Sequence, residues 1–250
     1  MATKLNTRTL LVTALVLAWP LLATHHTRAD TVDIVHDDYG AYGATTFWAA
    51  GYYGDVAMAG VYQLHKTADT GIGNTWPDGY IPGFCMELQE PPPTGQTYKV
   101  TVPDNVYNSF TGEVLGTAKG NYLRELWALH YDNSWAAGGT YTAQQNASAE
   151  AFAAAVWEIV YEDLPTSPAG WDVTVDGTIG SGGFRAENLD AATANKWLRE
   201  LTGTGAKADL RALVYNGNQD YLVVVPEPAT LILLGCGGAM SLLRRRPGRP

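Results

Sequence analysis

Ser148-Ala149-Glu150-Ala151-Phe152-Ala153-Ala154-Ala155-Val156-Trp157-Glu158-Ile159-Val160-Tyr161-Glu162 is the stretch that decides the fold class. Phe152, Ala155, Val156, Ile159 and Val160 recur at the three- and four-residue spacing of one helix face. Ser148 is placed to cap this helix, and Glu150 falls in its first turn, where a carboxylate meets the positive end of the helix dipole. Two further helices are predicted beside it. Over residues 119–130, Tyr122, Leu123, Leu126 and Trp127 form a stripe; over residues 188–201, Ala194, Trp197, Leu198 and Leu201 face together and Gly203 supplies a stop. The chain before them alternates β-prone runs (31–35, 57–64, 98–102) with Gly- and Pro-rich pieces (69–82, 90–95). Residues 171–175 predict another strand, ended by Asp176-Gly177, and 222–225 a last one. No repeat of 20 to 50 residues and no long linker divides residues 30–225. The expectation is one α+β domain: a β-rich sheet or sandwich with about three helices packed on one side.

Charge separates this body from its ends. Of the 250 residues, 16 are Lys or Arg and 25 are Asp or Glu, a net charge of -9. Lys4, Arg8, Arg28, Arg244, Arg245, Arg246 and Arg249 lie outside residues 30–225, whereas Glu227 alone among the acids does. The body therefore carries 9 cations against 24 acids. That excludes nucleic-acid binding through a general basic surface, because phosphate affinity comes from clustered cations releasing counterions. With 46% hydrophobic residues, a domain of this length buries a substantial core.

The ends read as addresses. Residues 1–29 run from Lys4 and Arg8 through an apolar stretch (10–23) to Thr27-Arg28-Ala29, the order of a cleavable secretory signal. Its apolar run is short against the roughly 20 residues a spanning helix needs. At the other end, Val225-Pro226-Glu227-Pro228 is followed by an uncharged stretch (229–243) and by Arg244-Arg245-Arg246. As a single apolar helix, fifteen residues at ~1.5 Å each reach about 22 Å, a marginal membrane segment fixed by the positive-inside rule. Motif, apolar run and basic stop, in this order at the C-terminus, resemble the PEP-CTERM sorting signal of Gram-negative bacteria. The resemblance implies recognition by an exosortase, an integral-membrane cysteine protease, with processing near Pro226, Glu227 and Pro228. It also implies release from the inner membrane to the cell surface or into an exopolysaccharide matrix. Signal peptidase would process the other end.

Two cysteines occur, and Cys236 lies inside the terminal apolar run. Cys85 is left without a partner, so the body has no internal disulfide and the thiol is either packed or chemically used. Gly83-Phe84-Cys85-Met86-Glu87-Leu88, then Lys119-Gly120-Asn121-Tyr122-Leu123, then the stretch from Ala151 to Glu162 resemble bacterial thioester domains. Those domains join a strand Cys to a Gln at the start of a helix, and the internal thioester acylates a nucleophile on a target. The resemblance spans roughly residues 80–200 and places Cys85 at the thioester Cys. Ala153 stands at the Gln position, and its methyl has no carboxamide to receive a thiolate and expel ammonia. Gln63, Gln89, Gln96, Gln144, Gln145 and Gln219 are the other glutamines of the body, none at that helix position.

Weaker constellations complete the reading. Cys85 with His130 and an Asp or Asn is a nominal cysteine-hydrolase set. His36, Asp37 and Asp38, and Asp172 with Asp176, lack the ligand spacing of a calcium loop and read as solvated acidic faces, so no metal is expected. Tyr52, Tyr53, Trp76 and Trp135 are candidates for stacking on sugar rings, with core and turn packing the preferred reading. No phosphate-cradling or dinucleotide fingerprint implies a cofactor, and Gly180 to Gly183 reads as a turn. The function expected is a non-enzymatic, exported surface or matrix module. A covalent thioester adhesin using a displaced Gln and a Cys-dependent hydrolase remain as alternatives.

Overall fold

A computed structural model describes residues 29–49, 51–175 and 183–226. The two longest strands, β1 (Thr31–Ala49) and β2 (Tyr52–Thr70), make one antiparallel hairpin. Both run far past the segments predicted for them. Glycines and polar residues interrupt the apolar alternation, and register shifts absorb them at four points along β1. Such bulges coil a ribbon without ending it. β3 (Gly79–Cys85) and β4 (Thr94–Thr101) follow, then a small hairpin of β5 (Tyr107–Asn108) and β6 (Glu113–Val114). The remaining elements are α1 (Gly116–His130), α2 (Ala143–Tyr161), β7 (Arg185–Glu187), α3 (Ala191–Glu200), β8 (Leu210–Tyr215) and β9 (Asn218–Val224).

Pairing runs β1, β2, β3, β9, β8, β4 and back to β1, every step antiparallel, so six strands close on themselves. β7 pairs with the far end of β1 at Thr46, Phe47 and Trp48. The β-rich α+β expectation with three helices holds. The sandwich alternative gives way to a single sheet closed into a ring, an arrangement that removes exposed strand edges.

α2 packs against both strands of the β1–β2 hairpin, and α1 and α3 pack against α2 and each other. Every residue of α2 from position 149 to 161 is buried, so it is a core helix rather than a one-sided surface helix. Its start lies earlier than Ser148. Thr142 accepts from the Gln145 N–H and Gln145 Oε1 accepts from the Thr142 N–H at 2.9 Å, a reciprocal capping box. Ser148 instead accepts from the Gln144 amide at 3.1 Å within the helix. Glu150 is buried and takes the Thr45 hydroxyl at 2.7 Å rather than serving the dipole. Gly43 makes that approach feasible, since a Cβ there would sit 2.3 Å from the Glu150 carboxyl carbon. The sequence missed this start because residues 143–147 are helix-compatible but carry no apolar period.

Residues 171–175 are not a strand. Trp171 and Val173 are buried with the expected alternation, yet their backbone bonds are those of a turn fastened to the helices: Trp171 N–H bonds to Pro168 O and Val175 N–H to Asp172 O, while Val173 O accepts from Ala186 N–H. The Asp172 N–H donates to Glu158 Oε1 at 2.8 Å and the Val173 N–H to Asn195 Oδ1 at 2.9 Å. α3 begins at Ala191, capped by Asp190, whose Oδ1 accepts from the Thr193 N–H; Asn188 lies outside it at φ 64. Asp176, Gly177 and positions 180 to 182 lie outside the described residues. The Gly- and Pro-rich 69–82 piece contains the start of β3, including Pro82.

Pro82 explains how the last strand is finished. Met86 N–H bonds to the Asp220 carbonyl at 2.8 Å, and the same phase two and four residues along reaches Phe84 with Leu222 and then Pro82 with Val224. Proline has no N–H to give. The Val224 carbonyl is taken instead by the Trp76 indole N–H at 2.7 Å. The segment carrying Trp76 also holds the first strand, because Ile72 N–H donates to Asp30 Oδ1 at 2.9 Å. Both ends of the body are thus fastened to residues 72–76. Trp76→Phe should lower stability by about 1 kcal/mol through the orphaned carbonyl. Hydrogen exchange at Val225, whose N–H bonds to Asp209 O at 2.8 Å, should accelerate with it; unchanged exchange would refute the latch.

Candidate functional site

Cys85 ends β3 opposite Tyr221 of β9 and is a free, buried thiol. Side chains alternate along a strand. Phe84 turns its ring onto Phe152 of α2 (4.6 Å between centroids) and Trp127 of α1 (5.6 Å), and Cys85 shares the face of Tyr221. The Tyr221 ring in turn meets Tyr62 at 5.2 Å and Tyr98 at 6.3 Å. The thiol donates to the Glu87 carbonyl at 2.9 Å, and the Cys85 carbonyl accepts from the Trp157 indole N–H at 2.9 Å. Tyr161 closes the turn, its hydroxyl accepting from the Leu88 N–H at 2.8 Å. Burial pushes the Cys85 thiol well above its ordinary range, with the nearby Glu87 charge adding to it. Little thiolate exists at neutral pH in such a setting, and the thiolate is the nucleophile.

Ala153 lies on α2 at 1% exposure, one turn before Trp157. The glutamines are engaged elsewhere. Gln63 donates to Ala136 O, Gln144 to Ser148 and Gln145 to Ser134, while Gln96 Oε1 accepts from its own turn and Gln89 Oε1 from Ser109. Gln219 is placed differently. It lies two residues from Tyr221 on β9, hence on the face that Cys85 occupies, and its Oε1 accepts from the Tyr221 hydroxyl at 3.0 Å. His130 stacks on Trp197 of α3 at 5.0 Å and has Nε2 3.2 Å from Glu200. It makes no hydrogen bond with Cys85 among the described residues, so the nominal hydrolase set is not assembled.

The other sequence candidates separate in the same way. His36 packs between Tyr39 and Tyr62, with burial lowering its pKa. Asp38 accepts from the Tyr39 N–H, Asp37 stands 3.9 Å from His65, and Asp172 is bonded to Thr174 and Asn195. Among the described residues no group of three His, Cys, Asp or Glu is placed to share a cation. Trp76 and Trp135 are buried, in keeping with core and turn packing; of the tyrosine pair, Tyr53 is 75% exposed and Tyr52 packs on Phe47. Pro226 is the last described residue of the processing motif. Glu227, Pro228, Arg244, Arg245 and Arg246 lie outside the described residues, as do the apolar segment and positions 1 to 28. Among the described residues no helix is long and apolar enough to cross a membrane.

Sequence reasoning missed a pair of carboxylates beside Cys85. Glu87 follows β3 and Asp220 sits mid-strand in β9 at 7% exposure. Both line a cleft of about 480 Å³ between the β5–β6 hairpin and the β8–β9 turn, together with Lys99, Tyr107, Ser109 and Tyr215. Asp220 Oδ1 accepts from the Tyr215 N–H at 3.0 Å, and Glu87 Oε1 lies 3.1 Å from the Ser109 hydroxyl, sharing its one proton with Gln89 Oε1 at 2.8 Å. Burial raises both carboxyls, Asp220 to about 7, with Glu87 among the charges that push it further. An acid in the middle of the strand-forming run Asn218-Gln219-Asp220-Tyr221-Leu222-Val223 was the available signal. No known protein family, curated protein or solved structure matches the chain.

Proposed function

We propose that this chain is an exported cell-surface or exopolysaccharide-matrix protein, delivered through the secretory signal at residues 1–29 and processed by an exosortase at Pro226-Glu227-Pro228. Its residues 229–243 would hold the precursor in the inner membrane until cleavage, with Arg244, Arg245 and Arg246 as the cytoplasmic stop. The body over residues 30–225 then acts as a non-catalytic adhesive or structural module related to thioester domains. The order of motif, apolar run and arginine cluster carries this reading. The fold is compatible with it: ordered pairing begins at Thr31 and ends at Val224, so both processing points bracket the folded body with almost no spare chain. Glu227→Ala is expected to leave an uncleaved precursor in the membrane fraction of exosortase-bearing cells, by C-terminal mass. Normal maturation of that variant would refute the sorting assignment.

A second reading, the covalent adhesin, draws on the position of Gln219. Bond formation would require Cys85 to give up Glu87 and Gln219 to give up Tyr221. It would also need a thiolate that burial disfavours. Thioester closure expels ammonia, a loss of roughly 17 Da. The mature body is expected to show the unmodified mass, with one thiol titrating only after denaturation.

A further inference from the structure

We propose that the cleft between the β5–β6 hairpin and the β8–β9 turn binds a neutral oligosaccharide. This deepens the adhesive reading by naming a ligand class and rests on that reading for its setting; the chemistry comes from the cleft itself. Its volume of about 480 Å³ is that of a small-molecule site. Its rim carries two outward aromatic rings, Tyr107 at 59% and Tyr215 at 39% exposure. The Tyr215 ring is backed by that of Tyr98 at 5.5 Å, which holds it in place. Rings of this kind offer an apolar face and a polar tip, matching the C–H faces and hydroxyls of a sugar.

The floor selects against other ligands. Glu87, Glu90 and Asp220 outnumber the single cation Lys99, so an anionic ligand is repelled. No three-ligand cation set lies among the described residues. An apolar ligand would strip water from the carboxyls without replacing their hydrogen bonds. Asp220 has Oδ1 committed to the Tyr215 N–H, and Glu87 Oε1 lies 3.1 Å from the Ser109 hydroxyl, whose one proton is shared with Gln89 Oε1; both carboxyls have further acceptor capacity. A neutral ligand rich in hydroxyls satisfies that capacity. Around neutrality Asp220 is partly protonated, so it can donate to a sugar oxygen as well as accept.

The test titrates the purified full-length chain in detergent micelles, at pH 6.5, with cellohexaose, laminarihexaose and maltohexaose, and with hexagalacturonate as the charged control. At least one neutral hexasaccharide should bind, and Tyr107→Ala should weaken it about tenfold, the loss of one stacked ring. Tyr107 is largely exposed, so this variant should keep the parent far-UV spectrum and melting curve. Asp220→Asn, which retains an oxygen for the Tyr215 N–H, should keep most of the affinity, and Asp220→Ala should lose it. The idea is overturned if no neutral hexasaccharide binds, if hexagalacturonate binds as tightly, or if binding survives both Tyr107→Ala and Asp220→Ala. Sorting is read from the C-terminus of the Glu227 variant, so failure there leaves the cleft result standing, and the reverse.

Discussion

Ala153→Gln is expected to destabilise the protein by about 3 kcal/mol or more, and to add only the mass of the substitution. The site has no room for the longer side chain. Ala149, Ala151, Ala153, Ala154 and Ala155 are all at most 1% exposed, and the helix carrying them is wedged between the β1–β2 hairpin and its neighbouring helices. Overpacking alone costs about 1–3 kcal/mol, and a buried carboxamide without partners adds a similar amount. The thiol that would have to rescue it is held by the Glu87 carbonyl and kept protonated by burial. Denaturant unfolding and intact mass on one sample decide the matter. A variant as stable as the parent, lighter by roughly 17 Da than its sequence, would mean that the thioester geometry persists and lacks only the glutamine.

The fold was legible wherever a period was long and unbroken. α1, α2 and α3 announce themselves through apolar spacing, and β9 through its aliphatic end. Element boundaries are less legible. The Thr142–Gln145 capping box lies outside the apolar stripe, so the apolar period alone starts α2 at Ser148. An alternation rule ends the hairpin strands early because Gly43 and the bulged positions break a period of two, although it is Gly43 that lets Glu150 reach Thr45. Residues 171–175 have the alternation of a strand, but the N–H groups of Asp172 and Val173 are taken by tertiary partners, Glu158 on α2 and Asn195 on α3. No local pattern encodes that. Cys85 stands out in the sequence as an unpaired cysteine, whereas its environment depends on which strands become neighbours. β3 meets β9 only because the sheet closes, and that pairing brings Tyr221, Gln219 and Asp220 to the Cys85 and Glu87 end of β3.

Closure of the helical side depends on two buried carboxyls one turn apart, and the pH profile of stability should report them. Glu158 is 2% exposed; its Oε1 accepts from the Asp172 N–H, while its Oε2 is buried without a hydrogen bond. Glu162 Oε1 accepts from the Phe184 N–H at 2.7 Å, so the pair holds residues 172 and 184 against α2. Burial, then the neighbouring Glu162 charge, raises Glu158 to about 9. A carboxyl raised in the folded state binds more protons there than in the unfolded chain. Its contribution is therefore neutral below its ordinary value of 4.5 and turns against folding as pH climbs from there towards 9. The full shift corresponds to about 6 kcal/mol by linkage; entry of water around Asp172 and Phe184 as Glu158 ionises limits the loss, and about 3 kcal/mol is expected. Glu158→Gln keeps an oxygen for the Asp172 N–H and cannot ionise. Denaturant midpoints between pH 5 and pH 9 should fall more steeply for the parent than for this variant, with the two close together at pH 5. Glu158→Ala, lacking the oxygen, should be weaker at every pH. Parallel profiles for the parent and Glu158→Gln would mean that Glu158 is already ionised in the fold, and that a counter-charge or water reaches it.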